Sequence, residues 1–221
     1  MAGEYAVRLV EDGMKLGLGT GSTAYFAIQK VAELVRQGWR LTCVPTSEET
    51  RKLAESLGIP LRTLDEVPEL DLCIDGADEV NSELALIKGG GGALLREKIV
   101  AMAAKRMVVV ADHRKYVNQL GSFHLPVEVV PFGAELTRNR IRELGGQAKR
   151  REQNGQAYRT DNGNLIYDCD FGIISTPNQL HQSLKLLPGV VETGLFVQIA
   201  KTAVVSDGVG VQVYGDAKGL N

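Results

Sequence analysis

The chain has 221 residues with a formal net charge of −2, and it is 44% hydrophobic but only 5% aromatic. That is apolar material for one large core, or for a main domain with a smaller companion. No apolar run approaches the ~20 residues of a membrane span. The start "MAGEYAVRLVEDG" lacks a signal-peptide layout, and interspersed charges argue against a nucleic-acid surface.

From residue 1 to about 125, short apolar runs alternate with helical patterns. Strands are expected at "KLGLG" (15–19), "RLTCV" (40–44), "LCID" (72–75), "ALIKG" (85–89) and "RMVVVAD" (106–112). Between them "STAYFAIQKVAELVRQG" and "SEETRKLAESLG" carry apolar residues at helical spacing and end on glycine. This alternation predicts an α/β fold, a mainly parallel sheet with helices on both faces.

Near "LPVEVVP" (125–131) the pattern changes. A helix "AELTRNRIRELG", strands "QAKRRE" and "NLIYDCDF" across a polar turn, a helix "TPNQLHQSLKLLP" and a strand "VVETGLF" follow. The order β-α-β-β-α-β is that of a ferredoxin-like domain. The tail "TAVVSDGVGVQVYG" reads as a hairpin around Asp207-Gly208 that returns to the first domain. The expected division is therefore 1–125 plus 199–221 as one domain, with 126–198 inserted as a second. Cys43, Cys73 and Cys169 sit inside apolar runs and read as buried thiols. His113, His124 and His181 have no metal-ligand spacing. A cytoplasmic protein is expected.

Three loops carry the chemistry-bearing residues. "GLGTGSTA" (17–24) follows a strand and opens a helix, so Thr20, Gly21, Ser22 and Thr23 can present backbone N–H groups to a phosphate, with Ser22 or Thr23 as helix cap. A plain tight turn is the alternative, and a dinucleotide loop is disfavoured because the second strand runs into Pro45-Thr46-Ser47 without an acid. "IDGADEV" (74–80) puts Asp75 at a strand end and Asp78 one turn later, beyond Gly76 and Ala77. The two carboxylates suit hydroxyl hydrogen bonds, a turn cap or Mg²⁺, the last disfavoured by the lack of a third acid at supporting spacing.

"KGGGGALLREKI" (88–99) places Lys88 before Gly89, Gly90, Gly91 and Gly92, and Glu97 one turn into the next helix. A Walker loop has its lysine after the glycines, so this is not one. Ala93, Leu94, Val100 and Ala101 surround Glu97 at helical spacing, but Arg96 and Lys98 have similar neighbours. Periodicity does not single Glu97 out. Three strand-ending loops of one parallel sheet would converge on one edge with an anion cradle, two aspartates, a lysine and a glutamate. Together these suit moving a carbon-bound proton on a phosphorylated sugar.

The motifs "GTGSTA", "DGADE" and "KGGGGALLREK", followed by "LPVEV", "TDNGN" and "LPGVVETGLF", closely resemble the A-type ribose-5-phosphate isomerase family over nearly the whole chain. The resemblance implies a Rossmann-like domain with a ferredoxin-like lid, in homodimers or homotetramers. It implies interconversion of ribose 5-phosphate and ribulose 5-phosphate through an enediol, without metal or organic cofactor. It assigns catalysis to Glu97, Lys88, Asp75 and Asp78. It assigns substrate contacts to Thr20, Gly21, Ser22, Thr23, Gly76, Ala77, Gly89, Gly90, Gly91 and Lys115, besides Asp75, Asp78 and Lys88. Family members often open on a longer, lysine-bearing helix, and no phosphate contact from such a helix is expected for "MAGEYAVR". A sugar-phosphate sensor would need the cradle but not a base such as Glu97. An amino-sugar phosphate deaminase would need a further motif to expel ammonia.

Overall fold

The computed structural model describes residues 1–220. Helix α1 (Ala2–Ala6) leads into strand β1 (Lys15–Leu18), helix α2 (Ser22–Arg36), strand β2 (Thr42–Pro45) and helix α3 (Glu48–Ser56). Next come β3 (Leu70–Gly76), β4 (Glu79–Val80), β5 (Leu86–Ile87), helix α4 (Leu94–Ala103) and β6 (Ala104–Asp112). The middle of the chain forms β7 (Leu125–Val129), α5 (Ala134–Glu143), β8 (Gln147–Arg150), β9 (Glu152–Gln153), β10 (Gln156–Ala157), β11 (Leu165–Asp170), α6 (Pro177–Lys185) and β12 (Val190–Thr193). Strands β13 (Leu195–Phe196), β14 (Ala200–Ser206) and β15 (Val211–Gly215) close the fold.

The helices form where the sequence offers a face and a start. In α2, Ala24, Ala27, Ile28, Val31 and Ala32 recur at one-turn spacing and are all buried. In α3, Ser47 accepts a hydrogen bond from the Thr50 N–H at 3.0 Å, and Glu48 and Glu49 sit in the first turn, where the helix dipole favours negative charge.

The main sheet has the order β15-β14-β6-β3-β1-β2, parallel except for the antiparallel edge strand β15. Side chains of β6 alternate between its faces. Val108 and Val110 join the core under α2, while Met107, Val109 and Ala111 join the core on the other face with Val100 and Ala101 of α4. Each fully buried Val or Leu contributes roughly 1.5–3 kcal/mol of transfer free energy. The step from β1 to β2 goes one way across the sheet and the step from β2 to β3 returns past β1. The carboxyl ends of β1 and β3 therefore flank the topological switch point, where open α/β sheets take their ligands.

A second, four-stranded antiparallel sheet has the order β12-β7-β11-β8, the arrangement expected from the β-α-β-β-α-β pattern. The polar turn expected between its two central sequence segments holds a small hairpin, β9–β10, turning at Asn154 and Gly155, both with positive φ. The tail hairpin forms as expected, with β14 pairing parallel to β6.

One expectation is corrected. The segment "ALIKG" does not join the parallel sheet; β5 pairs antiparallel with both β4 and β13 in a separate three-stranded sheet. A parallel partner needs a crossover of a dozen or more residues. Here the chain turns back after Val80 through a tight bend in which Leu84 has φ 60°, so an antiparallel pair is the only short route. The loop after Lys88 thus reaches the site from this small sheet, not from the main one.

Candidate active site

The loop after β1 meets the N-terminus of α2 at Gly21, whose φ of 97° takes the backbone through a conformation that favours glycine. Neither Ser22 nor Thr23 caps the helix, contrary to expectation; both lie within its first turn and no side chain accepts from its leading N–H groups. Those donors stay open to an anion. Thr20 has a different task. Its hydroxyl lies 2.7, 2.8 and 3.1 Å from the hydroxyls of Thr46, Ser47 and Thr50, and its N–H donates to Asp75 Oδ1 at 2.9 Å. Thr20 is a strut that ties the loop to α3 and β3.

Asp75, at the end of β3, is fully buried. Besides Thr20, the Gly76 N–H donates to its Oδ1 at 2.7 Å, and Lys88 Nζ lies 3.1 Å from its Oδ2. Lys88 Nζ also donates to Glu97 Oε1 at 3.0 Å and to the Gly76 carbonyl at 2.5 Å. Glu97 Oε2 is buried and has no hydrogen-bond partner among the described residues. Burial pushes the Glu97 carboxyl up to about 8; Lys88 opposes this, while the charges of Asp75 and Asp78 add to it. Burial alone would lower the Lys88 ammonium, but Asp75 and Glu97 reverse that and raise it.

The two upward shifts look contradictory for an ion pair, and the geometry reconciles them. One ammonium serves two carboxylates. Burial raises the Glu97 carboxyl, and the single ammonium it shares with Asp75 offsets that only in part. Asp75 Oδ1 accepts from two backbone N–H groups, its Oδ2 lies beside the Lys88 ammonium without a hydrogen bond, and Asp78 Oδ2 accepts from the Gly90 N–H at 2.7 Å. This does not form a cradle for a divalent cation.

The glycine loop is built for close approach. A Cβ on Gly90 would lie 2.6 Å from Asp78 Oδ1, so only glycine lets that N–H reach the carboxylate. Helix α4 then sends three successive side chains in three directions. Arg96 Nη1 reaches Glu48 at 2.9 Å, and the same guanidinium bonds Asn162 and the Asp161 carbonyl. Glu97 enters the site. Lys98 Nζ is buried against Glu192 Oε1 and the carbonyls of Thr193 and Leu195, each at 2.8 Å.

All but one of the expected residues line one small cavity of about 50 Å³. Thr20 to Thr23, Gly76 to Asp78, Lys88 to Gly91, Glu97 and Lys115 form its walls, and Asp75 stands behind Lys88. Lys115 comes from a 3₁₀ turn after β6 and forms no ion pair among the described residues. Ser22, Thr23 and Lys115 also line an adjoining open cleft of about 300 Å³. Larger clefts of about 520 and 560 Å³ lie elsewhere on the molecule but gather no comparable set of buried acids and a lysine. Sequence reasoning missed Arg151 and Tyr158, which reach the glycine loop from the smaller sheet. Two adjacent arginines in "KRRE" gave no hint of which one faces inward.

The family model described as "Ribose 5-phosphate isomerase A (phosphoriboisomerase A)" matches residues 42–210. The chain belongs to that family. A ribose-5-phosphate isomerase A of Gloeobacter violaceus is 54% identical over 214 residues, covering 96% of this chain and 93% of that protein. One from Bacillus mycoides is 50% identical over 215 residues, covering 97% of each. The solved ribose 5-phosphate isomerase A of Methanocaldococcus jannaschii superposes with a TM-score of 0.92 at 40% identity, covering 97% of this chain and 96% of the other. A D-ribose-5-phosphate isomerase solved in complex with phospho-erythronic acid gives a TM-score of 0.94 at 36% identity, with the same coverage. Among the described residues of this family member, no helix is long and apolar enough to cross a membrane.

Proposed function

We propose that this protein interconverts D-ribose 5-phosphate and D-ribulose 5-phosphate by proton transfer through an enediolate, with Glu97 as the base. The observation that carries the reading is the unpartnered Glu97 Oε2, buried at the wall of a cavity beside a lysine. Glu97 takes the proton from C2 of the aldose and returns it to C1, while a hydroxyl proton passes from O2 to O1. Lys88 holds the negative charge that develops on the enediolate oxygens, already oriented by Asp75, so no metal ion is called for. Asp78, at the cavity wall, takes the sugar hydroxyl hydrogen bonds, and Asp75, behind Lys88, acts on the reaction by holding that ammonium in place.

The inner cavity is too small for a whole pentose phosphate. The reacting carbons of the sugar belong there beside Gly21, and its phosphate belongs in the adjoining cleft, against the open N–H groups of Ser22 and Thr23 and the Lys115 ammonium. Gly76, Ala77, Gly89, Gly90 and Gly91 supply backbone walls. Residues 1–125 with 199–221 carry the chemistry, and 126–198 cover the glycine loop. The same reading makes this a cytoplasmic enzyme working as a homodimer or homotetramer.

The test is incubation with ribose 5-phosphate in heavy water containing EDTA. Ribulose 5-phosphate bearing deuterium at C1 is the expected product, because a carboxylate-held proton exchanges with solvent before redelivery. Ketose formed without any label would favour a hydride shift or a fully shielded transfer over a solvent-exchangeable base, and no ketose would leave a binding module.

A further inference from the structure

The glycine loop is held from outside by a residue that does not line the cavity. Arg151, just past β8, has a side chain only 14% exposed. Its Nε and Nη2 pair with both carboxylate oxygens of Asp168 on β11, which fixes the plane of the guanidinium. The remaining nitrogen, Nη1, donates to the Gly89 carbonyl at 2.8 Å and the Gly90 carbonyl at 3.1 Å. Tyr158, whose ring lies 5.7 Å from the Arg151 guanidinium carbon, donates through its hydroxyl to the Gly91 carbonyl at 3.2 Å. Three consecutive carbonyls of the loop therefore point toward the smaller sheet.

In a trans peptide the C=O and the following N–H point opposite ways. Drawing the Gly89 carbonyl outward turns the Gly90 N–H inward, and it is found on Asp78 Oδ2 at 2.7 Å. Drawing the Gly90 carbonyl outward turns the Gly91 N–H toward the cavity in the same way. A run of glycines has no side chains to fix these planes; within the loop the Gly92 N–H also donates to the Gly89 carbonyl at 2.9 Å, whereas the Gly90 carbonyl has Arg151 as its partner among the described residues. Among the described residues, the Arg151–Asp168 pair is what fixes the planes of both the 89–90 and 90–91 peptides from outside.

On the isomerase reading above, we propose that Arg151 is a positioning residue for catalysis: its guanidinium, locked by Asp168, orients the Gly89–Gly91 peptides so that Asp78 and the Gly91 N–H meet the reacting end of the sugar. Arg151 bonds only carbonyls of the glycine loop and none of the α2 residues assigned above to the phosphate, so it acts on turnover more than on substrate capture. Displacing a reacting-site group by about 1 Å can cost on the order of 10² in rate.

The test compares Arg151→Met, which keeps the unbranched stem and removes every donor, with Arg151→Lys, which cannot bond Asp168 and two carbonyls together. The expected result is a fall in kcat of roughly 10- to 100-fold for Arg151→Met. KM and inhibition by inorganic phosphate should stay within about threefold of wild type, as expected if uniform binding is untouched. Arg151→Lys should recover part of the loss. Amide hydrogen exchange read by NMR should accelerate at Gly90, Gly91 and Gly92 in Arg151→Met while the β7–β11 ladder keeps its protection. A kcat within threefold of wild type, unchanged exchange in the glycine loop, or protection lost across the β7–β11 ladder together with phosphate inhibition would each overturn the proposal. If wild-type protein made no ketose, the isomerase reading would fall, and the exchange measurement alone would still decide whether Arg151 sets the loop.

Discussion

Lys88 Nζ stands 3.0 Å from Glu97 Oε1, yet the other Glu97 oxygen is buried without a partner. The ammonium is close enough to steady the carboxylate and too occupied with Asp75 to neutralise it fully. A base held this way is strong but still reversible, which a proton shuttle requires.

Glu97→Gln keeps the shape of the side chain and its contact with Lys88 but has no basic lone pair on the reacting side. Its kcat should fall by about 10²–10⁴, with a much smaller change in inhibition by inorganic phosphate. Steady-state turnover within tenfold of wild type would remove Glu97 from the shuttle.

The pH dependence follows from burial. Glu97 is raised to about 8, first by burial and then by Asp75 and Asp78, against the pull of Lys88. A base must be unprotonated, so kcat/KM should fall about tenfold for each pH step of one below that region. A profile of kcat/KM that stays flat down to pH 5 would contradict it.

The raised Glu97 carboxyl also predicts a stability trend. The folded chain holds the Glu97 proton more tightly than the unfolded chain, whose carboxyl titrates near the ordinary 4.5. Stability from this group is fully present below pH 4.5 and is lost as pH rises through about 8, at a slope approaching about 1.4 kcal/mol per pH step of one between those values. Glu97→Gln mimics the protonated acid at every pH. The wild-type Tm should therefore drop by several degrees relative to that variant between pH 5 and 9. Using the difference cancels Lys98, whose ammonium burial pushes down to about 8 in both proteins. Parallel Tm curves would show that ionising Glu97 costs the fold nothing.

Lys88→Ala should lower kcat by roughly 10²-fold or more, because the cation acts on charge that appears in the transition state. It also strands Asp75 and Glu97 with no counter-charge, so a loss of about 3–5 kcal/mol of stability is expected and the assay should be run well below the variant's Tm. A raised KM with unchanged kcat would move Lys88 to the substrate phosphate.

Gly90→Ala tests the close approach. The added methyl would lie 2.6 Å from Asp78 Oδ1, so either the loop or Asp78 must shift. A decrease in kcat/KM of at least about tenfold is expected, on the scale of a displaced reacting group. Wild-type kinetics in this variant would show that Asp78 needs no fixed contact with the loop.

Much of this was legible in the sequence because each loop sits where local rules place it. Asp75 ends an apolar strand, Gly21 opens an amphipathic helix, and the order of elements after Leu125 admits one common arrangement. Glu97 was not separable from Arg96 and Lys98, because all three have apolar neighbours on α4; each in fact has its own destination, in Glu48, Lys88 and Glu192. The placement of β5 was missed because its partner β13 is remote in sequence, and an apolar run carries no sign of the direction of its partner. Arg151 was invisible for a related reason: which of two adjacent arginines faces a loop depends on strand register, and register is set by the neighbouring strands.

The strand carrying Lys88 is completed by the far end of the chain: the Lys88 N–H donates to the Gly194 carbonyl at 2.9 Å, and β5 pairs with β13 directly beyond it. On a ribosome, the lysine and the glutamate are made early, but the segment that braces them emerges only after the whole second sheet. Contacts so distant in sequence close late, after their loop entropy has been met. The nascent chain therefore carries its acids and its ammonium through the synthesis of the whole second sheet without a working arrangement of them, and catalytic competence comes as one of the final events of folding.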